Sequence, residues 1–180
     1  MSERFFKMHN IEFDKVYTFD LTGTFSFGTL TTSHLVDIFK DGRVASHVLE
    51  PQLAVWFPEI RHIKGCKGHD HVDKLNEQIK YDAKNFTKAG GCKFMPSNMI
   101  GSGRKFDQEQ FLSKTEEMNY IICDIIDFPR VRVVFKKGKE LAEQWPKGEI
   151  KIKERDMLFG TQLTEQIRRK KRLWTKKRQR

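Results

Sequence analysis

The stretch "QIKYDAKNFTK", residues 78–88, reads as a β-strand: Ile79, Tyr81 and Ala83 share one face at a period of two, and Lys80, Asp82 and Lys84 share the other. The apolar face suits packing against a helix, which predicts a sheet covered by helices. The charged face is expected to stay out of the core. It is either a solvated face or a place where Asp82 and Lys84 do chemistry.

The flanking sequence fills in the rest. Residues 60–86, "IRHIKGCKGHDHVDKLNEQIKYDAKNF", read as two strands joined by a turn containing Gly and Asp, and "NYIICDIIDF" (119–128) is the most apolar run and a predicted buried central strand. "RVRVVFKKGKELAEQW" (130–145) reads as a strand running into a helix. "GEIKIKERDMLF" (148–159) alternates like one more strand. Residues 11–31 are aromatic and β-branched, broken by Gly23 and Gly28, and predict short strands or a hairpin. Helices are predicted at "TTSHLVDIFK" (31–40), with Leu35, Ile38 and Phe39 inward, and over residues 107–118 from an Asp107 cap. A further short one runs through "EPQLAVWF" (50–57), with Pro51 at its first position. The sum is α+β (mixed α/β), a central mixed sheet flanked by helices.

A chain of 180 residues with 38% hydrophobic and 12% aromatic content suits one domain, residues 1–160, with a real core. No apolar run is long enough to span a membrane and no signal-peptide block opens the chain, so an intracellular, cytoplasmic setting without a membrane partner is expected. Cys66, Cys92 and Cys123 are too few and too odd for a disulfide framework.

Charge is unevenly spread. Residues 161–180 hold nine Lys/Arg against one Glu, a net of +8 of the chain's +10. This basic tail, with Arg168, Arg169, Lys170, Lys171 and Arg172 at its centre, suits a polyanion, because each neutralised phosphate releases counterions. Nucleic acid is the natural candidate; a solvated helix end, a localisation signal or an anionic membrane surface are the other readings.

Asp70 precedes Asp82 by the length of one hairpin. Two antiparallel strands would bring the carboxylates together, and Mg²⁺ prefers one or two carboxylates plus waters and phosphate oxygens. Such a pair beside a basic surface suits metal-assisted phosphodiester hydrolysis. Lys84, on the same face as Asp82, would hold or help deprotonate the attacking water and stabilise charge on the phosphorane.

Asp70 followed by Asp82-x-Lys84 on a strand resembles the PD-(D/E)xK nuclease superfamily, in which an Asp and a later (Asp/Glu)-x-Lys bind metal and activate water. The stretch "GHDHVDKLNEQIKYDAKNFTKAGGCKFMPSNMIG" is similar to the active-site segment of the PvuII-like type II restriction endonucleases. That resemblance implies a restriction-endonuclease-like fold and a homodimer in a prokaryotic or phage-host setting, with residues 1–40 as possible dimerisation or DNA-binding additions. It implies Mg²⁺-dependent, sequence-specific cutting of double-stranded DNA to 5′-phosphate and 3′-hydroxyl ends. By position, Asp70 and Asp82 would be the metal ligands, with the Ala83 carbonyl completing the shell, and Lys84 the catalytic lysine. Glu50 matches an acidic residue that such nucleases often carry on the preceding helix; its other reading is a surface Glu ahead of a helix begun by Pro51.

Departures from the pattern are plain. No proline precedes Asp70, the second carboxylate is Asp rather than Glu, and "CKFMPSN" replaces a histidine cluster. Lys93, Ser97 and Asn98 are therefore candidates for groove contacts rather than matched base readers. Asp73 is a possible substitute for Asp70. His69 and His71 would flank the metal or touch DNA.

Cys66, His69, His71 and Cys92 also form a possible but poorly spaced zinc set. Neither a nucleophile elbow nor a phosphate loop is present; "GSGR" (101–104) reads as a turn. Phe94, Trp145 and Trp174 could stack on bases, with core packing the better reading of the first two. The competing function is a non-catalytic nucleic-acid-binding protein; a homing or junction-cutting nuclease is the near variant.

Overall fold

The apolar run at 119–128 forms β6 (Met118–Asp124), covered on both faces. A computed structural model describes residues 11–21, 28–65 and 68–160. In it β1 (Val16–Asp20), β2 (Ile60–His62), β3 (His71–Asp73), β4 (Lys80–Phe86), β6 and β7 (Arg130–Lys137) make one six-stranded sheet in the order β1-β7-β6-β4-β3-β2. Only β4 and β6 run parallel; every other pairing is antiparallel. A parallel neighbour needs a crossover, and the chain supplies one through β5 (Cys92–Lys93) and helix α3 (Gln108–Glu117).

Helices cover both faces. On one lie α1 (Thr32–Phe39) and α2 (Gly42–Trp56), burying Leu49, Leu53 and Phe57 against Tyr81, Ile121 and Phe135. On the other lie α3 and α4 (Gly138–Gln144), where Phe111 and Trp145 pack with Phe94, Tyr120 and Ile122. Gly138 makes that second layer possible. A Cβ there would stand 2.2 Å from the Thr115 carbonyl oxygen and 2.3 Å from that of Met118, so only glycine lets α4 begin against the end of α3.

The structure bears out the mixed sheet with flanking helices and shifts several boundaries. The Pro51 helix is the second half of a longer one: α2 starts at Gly42, Asp41 caps it by accepting from the Arg43 amide, and Pro51 sits inside it with its ring exposed. Ala45, Leu49 and Leu53 face the core, and that burial carries the helix through the proline. Residues 60–86 hold three strands rather than two. The alternation at 148–159 yields only β8 (Glu149–Ile150), paired with β5, before a 3₁₀ turn and α5 (Arg155–Phe159). The Glu154 side chain accepts from the Lys151 amide and turns the chain there, leaving Ile152 exposed. Ile38, expected inward on α1, is also exposed.

No helix among the described residues is long and apolar enough to cross a membrane. The candidate contacts Arg168, Arg169, Lys170, Lys171 and Arg172, together with Trp174 and Cys66, lie outside the described residues.

Candidate active site

The β3–β4 hairpin sets the geometry. His71 pairs with Tyr81 and Val72 with Lys80, and the Asp70 amide extends the ladder to the Tyr81 carbonyl at 2.9 Å. Asp70 therefore lies across from Asp82. Its Oδ2 accepts from the Ala83 amide at 2.7 Å, and its carboxyl is within hydrogen-bonding reach of the Asp82 carboxyl. The hairpin spacing predicted this meeting.

Burial drives the Asp70 carboxyl up to about 7, and the nearby charges of Asp82 and Glu50 add to it against the pull of the Ala83 amide. Asp82 responds the other way. It is 4% exposed, and burial alone would raise it, yet two ammonium groups overcome that penalty and hold it below the usual carboxylate range. Lys84 Nζ donates to Asp82 Oδ1 at 2.7 Å, and Lys114 Nζ donates to Oδ2 at 2.8 Å.

The charged face of β4 is thus not a solvated one, although it was expected to stay out of the core: Asp82 is buried on it. Helix α3 closes over it and delivers the second lysine. Lys84 is itself raised despite burial, because Asp82 and Asp70 favour its cation, so it donates here and does not take a proton.

Glu50 joins the same place from α2. Asn85 on β4 donates to the Gly42 carbonyl at 2.7 Å and to Ser46 Oγ at 2.9 Å, tying the start of that helix to the strand. Further along, His71 Nε2 donates to the Glu50 backbone carbonyl at 2.7 Å. Burial holds His71 down to about 4, so it stays neutral. The Glu50 carboxylate lies 3.5 Å from His62 Nε2 and lines the clefts on either side of Asp70. One cleft, about 590 Å³, is bordered by Arg43, Asp70, Ala83, Lys84 and Lys93. The other, about 490 Å³, is bordered by His62, Asp70, Asp82, Lys84, Ser97 and Lys114.

Other expectations separate here. Asp73 is a turn residue, accepting from the Leu75 and Asn76 amides at 2.8 and 3.0 Å, so it does not replace Asp70. His71 is fully buried and cannot touch DNA; His69 borders the second cleft. Cys92 and Cys123 are sealed in the two cores, and Phe94 and Trp145 are core residues too. Lys93, Ser97 and Asn98 are exposed, and the Asn98 amide donates to Gln110 Oε1 at 3.1 Å.

Lys114 escaped the sequence reading. Its signal was the predicted helix itself: Phe111 and Thr115 are the inward positions, and Lys114 lies on their flank.

Among the described residues no group of three or more His, Cys, Asp and Glu side chains is arranged to hold a metal ion. The donor set nevertheless fits Mg²⁺, which needs only one or two carboxylates and completes its shell with water and phosphate oxygens. Two carboxyls in hydrogen-bonding reach, one of them forced up to about 7, form a site whose repulsion a divalent cation relieves. Comparison with known proteins found no matching family model, curated protein or solved structure.

Proposed function

We infer that the protein is a Mg²⁺-dependent, sequence-specific endonuclease of double-stranded DNA, of the type II restriction kind and acting as a homodimer. The observation that supports this most is the convergence of Asp70, Asp82 and Lys84, three groups taken from a hairpin that line one cleft together. A bound Mg²⁺ would polarise the scissile phosphate and lower the pKa of a coordinated water.

Asp70 and Asp82 would hold the ion, with the Ala83 carbonyl and Glu50 at its margin. Lys84 stays protonated and donates to the attacking water or the phosphorane oxygens. Lys114 shares Asp82 with it and keeps that carboxylate charged and oriented. His71 positions Glu50 through its backbone carbonyl and reaches no substrate.

The alternative, a non-catalytic nucleic-acid-binding protein, gives no role to two carboxyls held against each other. The test is incubation of the purified protein with unmethylated plasmid of diverse sequence and Mg²⁺ or Mn²⁺, beside Asp82→Ala and Lys84→Ala. Discrete fragments from the native protein alone are expected; no cutting with either ion overturns the reading.

A further inference from the structure

A third cavity, about 480 Å³, lies next to the first cleft and shares Lys93 with it. Met95, Met99 and Phe106 supply its apolar surface, and Lys93, Arg104 and Lys147 supply its charge. No Asp or Glu lines it, and none of the three cations forms an ion pair among the described residues. The Arg104 guanidinium donates to the Ser97 carbonyl, which fixes it at the rim.

Phe106 is 39% exposed, while its ring rests against Phe111 at a centroid distance of 5.3 Å. It is an anchored aromatic ring with a free surface. Three unpaired cations around an apolar floor complement an anion that also carries a flat apolar body.

We propose that this cavity binds one unpaired nucleotide beside the scissile site, its base against Phe106 and its flanking phosphates on Lys93, Arg104 and Lys147. The inference rests on the nucleic-acid reading and adds to it a preference for duplexes in which one nucleotide leaves the stack, as a flipped base or at an overhang. An intact duplex backbone would engage the cations and leave Phe106 without a partner.

The test is fluorescence anisotropy with the full chain in metal chelator, comparing a labelled blunt duplex with the same duplex carrying a short single-stranded overhang. The overhang should bind about tenfold more tightly, the scale of one base stacked on an aromatic ring. Phe106→Ala should abolish that preference and leave blunt-duplex affinity intact, and Phe106→Trp should restore it. Arg104→Ala with Lys147→Ala should weaken both duplexes and lower the log–log salt slope by about 1.5 to 2.

Equal binding of the two duplexes by the native protein, or a preference that survives Phe106→Ala, overturns the proposal. Cutting is not read in this assay, so the two readings fail separately. An overhang preference in a protein that cuts nothing keeps this inference and sinks the nuclease.

Discussion

Two carboxylates are buried in this sheet, and each is held by two cations. Asp82 on β4 is shared by Lys84 and Lys114; Asp124 at the end of β6 is shared by Arg132 and Arg155. Their burial is alike, at 4% and 1% exposed, but their surroundings are not. Arg132 grips Asp124 Oδ2 through two nitrogens at 2.5 and 2.9 Å, reaches on to the Phe159 carbonyl at 3.2 Å, and lies over the Phe159 ring. That planar fork is satisfied on every side and fastens α5 to the sheet.

The lysines at Asp82 are point charges on flexible stems, each open to a cleft, and a second carboxyl crowds the same place. One cluster is closed and structural; the other can exchange its partners. Burial of a charge alone does not separate them. What does is the geometry of the cation and the presence of a competing carboxyl.

The sharpest way to break this comparison is to remove each carboxylate in turn. Asp82→Ala should lower plasmid cutting by about 10³-fold while costing under about 2 kcal/mol of stability, since both lysines can swing their ammonium groups into water. Asp124→Ala strands two guanidinium groups and should cost about 3–5 kcal/mol in urea denaturation. Its residual activity should track the folded fraction. A variant of Asp82 that unfolds like that of Asp124 would erase the distinction.

Next come the cations. Lys84→Ala should reduce cutting about 10²- to 10³-fold, as expected for one donor aimed at developing charge. Lys114→Ala, one charge-assisted hydrogen bond further back, should reduce it about 10- to 100-fold. Lys84→Arg should not rescue, because a planar fork does not replace a point charge in this space. In single-turnover assays the Lys84 loss should fall on the chemical step, and a loss confined to DNA affinity would refute its role.

Much of the candidate site was legible because β-structure repeats every two residues. The alternation at 79–84 put Asp82 and Lys84 on one face, and the hairpin length put Asp70 opposite. Lys114 was hidden because it reaches Asp82 from thirty-two residues away, across a parallel crossover whose packing no local pattern specifies. The β6 and β7 strands were readable from their apolar runs, whereas α2 was cut short by treating Pro51 as a start signal. Asp41 and the spacing of Ala45, Leu49 and Leu53 already marked an earlier beginning. The Asp124 cluster was invisible for the same reason as Lys114: its arginines arrive from two other elements.

A smaller effect should appear in the pH profile of the metal-free protein. The Asp70 carboxyl, raised from 3.8 to about 7, keeps a proton in the folded state that the unfolded chain has lost. The stability linked to it is full below pH about 4 and is lost as pH rises toward 7. His71 works in reverse: with its folded value near 4 against 6.5 unfolded, its contribution is present above pH 6.5 and is lost as pH falls toward 4. The two slopes oppose each other, so the native profile should be flat between pH 4 and 6.5. Asp70→Asn should expose the His71 slope, with thermal stability rising with pH across that window. Added Mg²⁺ should stabilise the native protein more at pH 7.5 than at pH 5, because ligation needs the deprotonated carboxyl.

The smallest effect tests the closed cluster from within. Arg155 donates to Asp124 Oδ2 at 2.9 Å and to Asp127 Oδ2 at 2.6 Å, from a side chain nearer the surface than Arg132. Arg155→Ala leaves Arg132 in place on Asp124, so it should cost only about 1–2 kcal/mol in urea denaturation and leave the cutting rate per folded molecule unchanged. Arg132→Ala removes the fork itself and should cost more than twice as much. If loss of Arg155 instead lowered cutting with the fold intact, charge at Asp124 would be felt at Asp82 along the paired strands β4 and β6. The two clusters would then be one electrostatic unit rather than a scaffold and a site.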